Sequence, residues 1–436
     1  MQNSEFIEIS SVNAINNKLE IKLTFSKKMS RYILKNGFEI FYDKNISNVD
    51  ESILTIPAVL STIQICWATG ADLYVKKLDE TLLMFLKKLR KVFATYSPNF
   101  SDSGNIYVEE IISNKFNNKQ SALFFSGGLD SLYSYVRHKD QNPILITLLK
   151  GNDSNRLDKF DNDLKNLIQK FSEQEGLENH FIRSMLWNPT GNKIINTRTL
   201  GHDFKVNWRA DIASGFIALG LVAPITVERI QKILYASTFP KNYISTHSRS
   251  EHFLADNDFS WADLDVVYDG EVTRQEKIHF LRNTPHYLKN LLVCFLPIQS
   301  PNPKNCGFCV KCWRTITGLI LEGIDPNECN FHIKNNILDE IKDILKNLTF
   351  LFKYRHYFPN IQRHIPDSIN DDEISRKYNA KQFFEWFKDY KFPDYKKGNW
   401  FFNRLKYWYY LEKFHGIDFT IKRILWYIQI TLKERF

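Results

Sequence analysis

An apolar strand that runs into two glycines and then into a helix is the strongest constraint on how this 436-residue chain folds. Residues 121–131 read Ser-Ala-Leu-Phe-Phe-Ser-Gly-Gly-Leu-Asp-Ser. The apolar residues predict a buried strand, and Asp130–Lys139 predicts a helix that starts directly after the glycines. A strand followed at once by a helix is the repeating unit of parallel α/β sheets, so the pattern predicts that fold class.

The residue types in this glycine loop suit the binding of phosphate. Glycines let backbone N–H groups approach an anion closely, and a helix N-terminus adds N–H groups and a positive dipole end. The hydroxyls of Ser126 and Ser131 could donate to phosphate oxygens, and Asp130 could bind Mg²⁺ or cap the helix. No lysine follows the glycines, so this is not the GxxxxGK[ST] loop. A plain glycine-rich turn of a Rossmann-like sheet is the alternative interpretation.

The remainder of residues 119–330 alternates between predicted strands and helices. The strands lie at 143–149, 180–186, 233–237 and 291–295, and the helices at 158–172 and 212–223. This alternation predicts a parallel sheet with helices on both faces. Ligands of such sheets bind at the carboxyl ends of the strands, so Thr147, Lys150 and Asp153 are near-site candidates.

Two further domains flank this segment. Residues 1–118 predict an α+β domain with strands at 6–10, 19–25, 38–42 and 106–112 and an amphipathic helix at 73–96. The uncharged run Ser52–Ala71 contains Pro57 and Gly70, which favours a buried segment of a soluble domain over a membrane span. Residues 331–436 predict helices at 337–348, 380–389, 400–414 and 419–432.

The C-terminal domain carries most of the chain's net positive charge. Residues 331–436 contain 20 Lys and Arg and 13 Asp and Glu, which gives this segment a net charge of +7. The net charge of the whole chain is +9. The same segment holds 26 aromatic residues. Basic and aromatic residues together are typical of nucleic-acid surfaces, and a helical domain with its own aromatic core is the alternative.

Composition excludes several classes of protein. Hydrophobic residues make up 43% of the chain, which argues against a mostly disordered chain, a collagen-like chain or a small disulfide scaffold. The N-terminus, MQNSEFIEIS, has no basic start followed by an apolar stretch, so no secretory signal is expected. We therefore expect a cytoplasmic protein without a membrane partner.

Four of the six cysteines fall in a short stretch. Cys306, Cys309 and Cys312 follow a C-x-x-C-x-x-C spacing, and Cys294 lies twelve residues upstream of the first. Such spacing aims thiolates at one ion, and four sulfurs satisfy a closed structural Zn²⁺ site. An iron–sulfur cluster and unliganded thiols are the alternatives. Cys329 is a weaker ligand candidate, and Cys66 is expected in the core.

Together, the two motifs resemble those of a known enzyme family. The SGGxDS loop at 126–131 resembles that of PP-loop (N-type) ATP pyrophosphatases. The segment from Leu-Val-Cys294 through Asn-Cys306-Gly-Phe-Cys309-Val-Lys-Cys312-Trp-Arg-Thr to Gly-Ile-Asp-Pro326 resembles the zinc-binding end of 7-cyano-7-deazaguanine synthases. The resemblance covers residues 119–330 and implies the adenine-nucleotide-alpha-hydrolase-like (HUP) fold.

The resemblance implies a chemistry and assigns residues to it. These enzymes adenylate a carboxylate of a deazaguanine with ATP, and a nitrogen nucleophile then displaces AMP. The implied ATP-binding residues are Ser126, Gly127, Gly128, Leu129, Asp130, Ser131 and Thr147. Asp130, Ser131 and Lys277 are the implied catalytic residues, with Mg²⁺ and Zn²⁺ as metals. Arg209, His247 and Arg274 are substrate candidates, and an exposed helix face is the alternative for Arg274 and Lys277.

The chain also departs from the family pattern. Asn207-Trp208-Arg209 replaces a Gly-Arg-Asn stretch, residues 237–249 replace an Asp-rich substrate loop, and terminal domains are added. Relatives with extra domains resemble the deazaguanine-synthase-like proteins of anti-phage defence islands, which implies a protein or nucleic-acid acceptor. A tRNA-thiolating PP-loop enzyme and a non-catalytic ATP sensor or scaffold are the alternative functions.

Overall fold

A computed structural model describes residues 5–33, 36–96, 104–149, 155–184, 208–238, 240, 258–294, 303–347, 357–392, 409 and 421. Within these ranges, no helix combines the length and the apolar character needed to cross a membrane. The protein is an α/β protein built on one large, mostly parallel sheet with surrounding helices. This confirms the predicted fold class at that level.

Over the described residues, the sheet contains eleven strands, and all of them lie before residue 273. They are β1 (Phe6–Ile15), β2 (Lys18–Phe25), β3 (Gly37–Phe41), β4 (Asp72–Asp79), β5 (Ile106–Ile112), β6 (Gln120–Phe124), β7 (Ile144–Leu149), β8 (Asn179–Ser184), β9 (Ile230–Ala236), β10 (Ser260–Trp261) and β11 (Leu264–Asp269). Their order across the sheet is β10-β11-β9-β6-β7-β8-β3-β2-β1-β4-β5.

Five neighbouring strands run parallel and form the centre of the sheet. In chain order they are β6, β7, β8, β9 and β11, and in space they lie in the order 3-2-1-4-5. Leu123 of β6 pairs with Leu145 of β7 on one side and Leu234 of β9 on the other. The strand order therefore reverses direction at β6, which is the position where doubly wound sheets bind ligands.

The N-terminal strands extend the same sheet. β3 pairs antiparallel with β8, where Ile40 lies opposite Ser184, and β2, β1, β4 and β5 continue outward from β3. The strands of residues 1–118 and those of 119–272 thus share one sheet. The three predicted domains stay a prediction, because a shared sheet does not show whether each segment folds alone.

The described helices include those predicted at 130–139, 158–172, 212–223, 337–348 and 380–389, with bounds that differ by a few residues. They are α1 (Glu51–Leu54), α2 (Ile56–Thr69), α3 (Glu80–Tyr96), α4 (Leu129–His138), α5 (Asn155–Glu175), α6 (Ser214–Val222), α7 (Arg274–Leu281), α8 (Val310–Leu321), α9 (Ile337–Asn347), α10 (Phe358–Gln362), α11 (Glu373–Tyr378) and α12 (Ala380–Asp389). A π-helical turn, Trp208–Ala213, precedes α6. The uncharged runs at α2 and α6 are buried, as predicted.

The chain forms two compact units. The first contains residues 1–126 and 130–272, and the second contains residues 127–129 and 273–436. In the second unit, four phenylalanines of the C-terminal segment are buried and pack on each other: Phe358, Phe383, Phe384 and Phe387. These rings form a helical core. The predicted helices at 400–414 and 419–432 lie outside the described residues, apart from Tyr409 and Ile421.

Two local predictions were wrong, and several elements were missed, among them helices α2, α10 and α11 and strands β10 and β11. Residues 73–79 belong to strand β4 rather than to a helix, because Leu73, Val75 and Leu78 are buried in a strand held between β1 and β5. The predicted strand at 291–295 is an irregular segment over its described part, 291–294. Strand β11 was missed because its charged residues, such as Asp265, interrupt the apolar pattern.

Candidate metal centre and nucleotide loop

The glycine loop connects β6 to α4 at the carboxyl edge of the parallel strands. β6 ends at Phe124 and α4 begins at Leu129, so four residues make the turn. Gly127 has φ +69°, a left-handed conformation that side-chain-bearing residues rarely adopt. The backbone conformation at this position therefore requires a glycine. The loop leads directly into the N-terminus of α4, where anions bind.

The two serines of the motif close the loop. The backbone N–H of Ser126 donates to Oγ of Ser131 at 3.3 Å, and the two hydroxyl oxygens lie 3.4 Å apart. Ser131 is buried, whereas Ser126 is exposed. Asp130 lies in the first turn of α4 and is half-buried. The buried Ser131 thus stabilises the loop through its hydrogen bond to Ser126. Ser126 and Asp130 are accessible to solvent.

Thr147 supports the loop from the neighbouring strand. Its hydroxyl donates to the carbonyl of Phe125 at 2.7 Å, and the N–H of Phe125 donates to the carbonyl of Ile146 at 2.8 Å. Thr147 is buried in the middle of β7. Its side chain is therefore engaged in holding the end of β6, which makes it a positioning residue for the loop.

The four predicted metal ligands lie together. The sulfurs of Cys294, Cys306, Cys309 and Cys312 are all within 4.8 Å of one another. Three of the distances are 3.9 Å for Cys294–Cys309, 3.7 Å for Cys306–Cys312 and 3.5 Å for Cys309–Cys312. Sulfurs bound about 2.3 Å from one tetrahedral ion lie about 3.8 Å apart, whereas a disulfide brings two sulfurs to about 2.05 Å. The cluster could hold a metal ion such as zinc.

Local backbone geometry creates this arrangement. Gly307 has φ +77°, which permits the tight turn predicted after Cys306. Cys309 is the N-cap of α8, and Cys312 lies in its first turn. A helix N-terminus stabilises negative charge, so two of the four sulfurs lie where thiolates are favoured.

The electrostatics of the thiols also favour a cation. Burial raises the pKa of Cys306 and of Cys312 well above the usual thiol value. Hydrogen bonds with the sulfurs of Cys294, Cys306 and Cys312 hold the pKa of Cys309 well below it. Without a cation, the cluster favours one thiolate surrounded by thiols. Four thiolates at these distances need a bound positive charge, since like charges in a buried site repel strongly.

The other predicted site residues differ in burial, and some of them lie outside the described part of the chain. Arg274 begins α7, is partly buried, and donates from Nη1 to Oγ1 of Thr315 at 3.4 Å. Lys277 is fully buried, so the alternative of an exposed helix face is wrong for this residue. The backbone of Arg209 lies in the π-helical turn, but its side chain is outside the described part, as are His247, Lys150 and Asp153.

Two asparagines that the sequence did not single out form hydrogen bonds to the backbone beside the metal cluster. Asn305 is fully buried and hydrogen-bonds to the backbone next to Cys294, and Asn330 bonds to the same segment. The only sequence signal for Asn305 is its position next to Cys306. No spacing rule marks an asparagine that contacts distant backbone.

Comparisons of the chain with protein-family models, with curated proteins and with solved structures found no match.

Proposed function

We propose that this protein is an ATP-dependent, AMP-forming ligase of the PP-loop type. The observation that carries the proposal is the position of the glycine loop. It follows β6, where the order of the parallel strands reverses, and it combines the left-handed Gly127 with a helix N-terminus. Backbone N–H groups in this geometry bind phosphate oxygens.

Each loop residue has a role in this proposal. The exposed Ser126 and the peptide groups of Gly127, Gly128 and Leu129 would bind the pyrophosphate part of ATP. Asp130, at the start of α4, would hold Mg²⁺, which when bound neutralises charge on the phosphates. Ser131 would keep the loop in its binding shape through its bond to Ser126.

The proposed reaction has two steps. A carboxylate or amide oxygen of the substrate attacks the α-phosphorus of ATP, and pyrophosphate leaves with the electron pair of the broken P–O bond. A nitrogen nucleophile such as ammonia then attacks the activated carbon, loses a proton, and expels AMP. Positioning and charge stabilisation supply most of the rate enhancement in such transfers. Arg274 would stabilise charge on the leaving groups.

The four-cysteine cluster would have a structural role. Four sulfur ligands leave no open coordination position, so a bound zinc ion would brace the fold and would not react. The sulfur distances of 3.5–3.9 Å suit one ion. In a multi-iron cluster the cysteines bind different iron atoms, which places their sulfurs farther apart.

A deazaguanine-type compound is the proposed substrate class, because both motifs resemble those of deazaguanine nitrile synthases. The additional N-terminal strands and the basic C-terminal segment favour a protein or nucleic-acid acceptor, as in an anti-phage defence system. Among the described residues of this segment, Phe358, Phe383, Phe384 and Phe387 are buried in its core, whereas basic side chains such as Lys381 and Lys388 are exposed and could contact such a polymer.

The cysteines support ligation over tRNA thiolation. Thiolation by a single protein needs a reactive thiol, and only Cys66 and Cys329 lie outside the cluster. Both are buried. Burial raises the pKa of the Cys66 thiol well above its usual range and that of Cys329 to about 12. Thiols of this kind are poor nucleophiles at neutral pH.

The test is product analysis with a matched pair of variants. The wild-type protein is incubated with ATP, Mg²⁺, ammonia and 7-carboxy-7-deazaguanine, and the nucleotide and deazaguanine products are identified by mass spectrometry. We expect AMP and pyrophosphate from the wild type and about a hundredfold less from Asp130→Asn. Asp140→Asn, which changes an exposed carboxylate just after α4, should match the wild type.

Two outcomes would contradict the proposal. Release of ADP and phosphate would show cleavage at the wrong phosphorus. Tight nucleotide binding without turnover, for every carboxylate tested, would favour the ATP sensor.

A further inference from the structure

A short irregular segment, residues 291–294, contacts both the glycine loop and the metal cluster. The N–H of Leu292 donates to the carbonyl of Gly127 at 2.8 Å. Two residues later, Cys294 contributes its sulfur to the cluster. Leu291, Leu292 and Val293 are buried. Since the segment makes no strand ladder, its buried backbone groups need other hydrogen-bond partners.

Asn305 provides most of those partners. Its Oδ1 accepts from the N–H groups of Val293 at 2.8 Å and Cys294 at 3.1 Å. Its Nδ2 donates to the carbonyls of Leu291 at 2.7 Å and Asn330 at 3.2 Å. All four hydrogen-bonding positions of the side-chain amide are therefore used, and all contacts are to the backbone.

Both ends of this network are attached to metal ligands. Asn305 precedes Cys306 in the chain, and Val293 precedes Cys294. A bound ion would fix the positions of both cysteines. It would therefore also fix the amide of Asn305 against segment 291–294, and with it the N–H of Leu292.

The Leu292 bond controls one peptide group of the loop. A peptide unit is planar and trans, so its C=O and N–H point in opposite directions. The carbonyl of Gly127 belongs to the same peptide unit as the N–H of Gly128. Holding that carbonyl toward Leu292 therefore turns the N–H of Gly128 away from segment 291–294. Gly127 and Gly128 resist rotation of this peptide less than other residues, so an external hydrogen bond has a large effect.

We propose that Asn305 is a positioning residue that couples the four-cysteine metal site to the glycine loop, so that metal binding orients the Gly127–Gly128 peptide for nucleotide binding. This inference rests on the proposed function, because it assumes that the loop binds ATP. Removal of the ion frees Cys294 and Cys306, loosens segment 291–294, and lets the peptide rotate.

The coupling is reciprocal by thermodynamic necessity. If the ion strengthens nucleotide binding by some factor, nucleotide strengthens metal binding by the same factor. The first measurement therefore needs no variant. Zinc-loaded wild-type protein is mixed with the chromogenic chelator 4-(2-pyridylazo)resorcinol, with and without α,β-methylene-ATP and Mg²⁺. At equilibrium, we expect the nucleotide analogue to raise the affinity for zinc about tenfold or more, so that the chelator removes less zinc.

The second measurement uses two asparagine variants. Asn305→Asp removes both hydrogen-bond donors of the side chain. Asn118→Asp is the control. It breaks the bonds from Asn118 to the carbonyls of Thr226 and Val227, which lie far along the chain from the metal ligands. We expect Asn305→Asp to bind zinc about tenfold more weakly in equilibrium competition with the chelator, and to bind the analogue about tenfold more weakly in calorimetric titration. Asn118→Asp should match the wild type in both measurements.

The outcomes separate this inference from the proposed function. If zinc-loaded wild type binds the analogue but the analogue does not change the affinity for zinc, the coupling is absent and the proposed function still stands. Equal zinc affinity and nucleotide affinity in Asn305→Asp and wild type would also overturn the coupling. If the wild type binds no nucleotide, the proposed function and this inference both fail.

Discussion

The backbone N–H of Ser126 donates to the buried hydroxyl of Ser131 at 3.3 Å, which ties the first residue of the glycine loop to the first turn of α4. The bond spans the whole loop, so it limits the conformations of the two glycines between these serines. The same helix contains a second buried serine, Ser134, whose Oγ has no hydrogen-bond partner within the described structure. The two serines form a natural pair for mutation.

Ser131→Ala should weaken nucleotide binding, whereas Ser134→Ala should not. Loss of the Ser131 hydroxyl leaves the Ser126 N–H without its acceptor and costs about 1–2 kcal/mol, or about tenfold in affinity if the loop must re-form on binding. Removing the Ser134 hydroxyl breaks no hydrogen bond, so stability should be unchanged or slightly higher. Calorimetry with α,β-methylene-ATP and thermal unfolding measure both effects. Equal affinities for the two variants would contradict the role of Ser131.

Cys306→Ser should abolish tight metal binding, and Cys329→Ala should leave it intact. Cys306 is one of the four clustered sulfurs, while Cys329 is buried outside the cluster. Since a four-sulfur ion contributes directly to folding, the Cys306 variant should also unfold at lower temperature. Elemental analysis of purified protein should find about one zinc per chain in wild type and in Cys329→Ala. Loss of metal from Cys329→Ala would refute the ligand assignment, and iron in place of zinc would refute the metal identity.

Glu340→Gln should stabilise the protein at alkaline pH. Burial in α9 raises the pKa of the Glu340 carboxyl to about 7. The unfolded chain ionises this group near 4.5, so stability falls as the pH rises from about 4.5 to about 7 and the loss is complete above that. Glutamine stays neutral and avoids this loss. The free energy of unfolding in urea should rise by about 1–3 kcal/mol at pH 8 and change little at pH 4.

Glu385→Gln is the control for this prediction, because Glu385 is exposed on the neighbouring helix α12. It should change stability equally, and only slightly, at both pH values. A pH-independent effect of Glu340→Gln would show that Glu340 is not neutral in the folded protein.

Asp325→Asn should destabilise the protein at neutral pH but not in acid. Burial favours the neutral acid, but hydrogen bonds from Lys377, Tyr378 and the Asn327 N–H outweigh it and lower the pKa of Asp325. A lowered pKa stabilises the fold above the unfolded value of about 3.8, and this contribution is lost as the pH falls through the folded pKa. We expect a loss of about 1–2 kcal/mol at pH 7 that shrinks below pH 4.

Asp371→Asn is the matched control for Asp325→Asn, since the carboxylate of Asp371 forms an exposed ion pair with Arg376 at 3.6 Å. Exposed pairs of this kind contribute little, so this variant should differ from wild type by less than about 0.5 kcal/mol. Urea unfolding between pH 3 and pH 7 compares the two. A constant difference between Asp325→Asn and wild type across this range would contradict the assigned interactions.

Local sequence patterns predicted the turn at the glycine loop and the clustering of the four cysteines. The turn from β6 to α4 depends on an apolar strand, two glycines and a helix start that are adjacent in the chain. The spacing of Cys306, Cys309 and Cys312 places three sulfurs on one turn and one helix N-terminus, and Gly307 supplies the left-handed residue. Neighbouring residues determine such geometry, so a short stretch of sequence is enough to predict it.

Contacts between residues distant in the chain determined the features that the sequence did not predict. Leu73–Asp79 has side chains that fit either a helix or a strand, and pairing with β1 and β5 on its two sides favours the strand. For Lys277 the sequence left two interpretations open, a site residue and an exposed helix face, and the structure shows its side chain buried in the second compact unit. In both cases the neighbours in space, and not in the chain, fix the outcome.

The sequence by itself determined the α/β class, the glycine loop and the four sulfur ligands. Each follows from a sequence pattern: the alternation of strands and helices, the two glycines between a strand and a helix, and four cysteines within residues 294–312. Only the tertiary structure decided that β9 lies beside β6, that β3 joins β8, and that Leu292 donates to Gly127. Those contacts join residues separated by 100 or more positions in the chain, and no local preference selects such partners. They form because the fold must bury apolar strands and satisfy buried backbone groups at the same time.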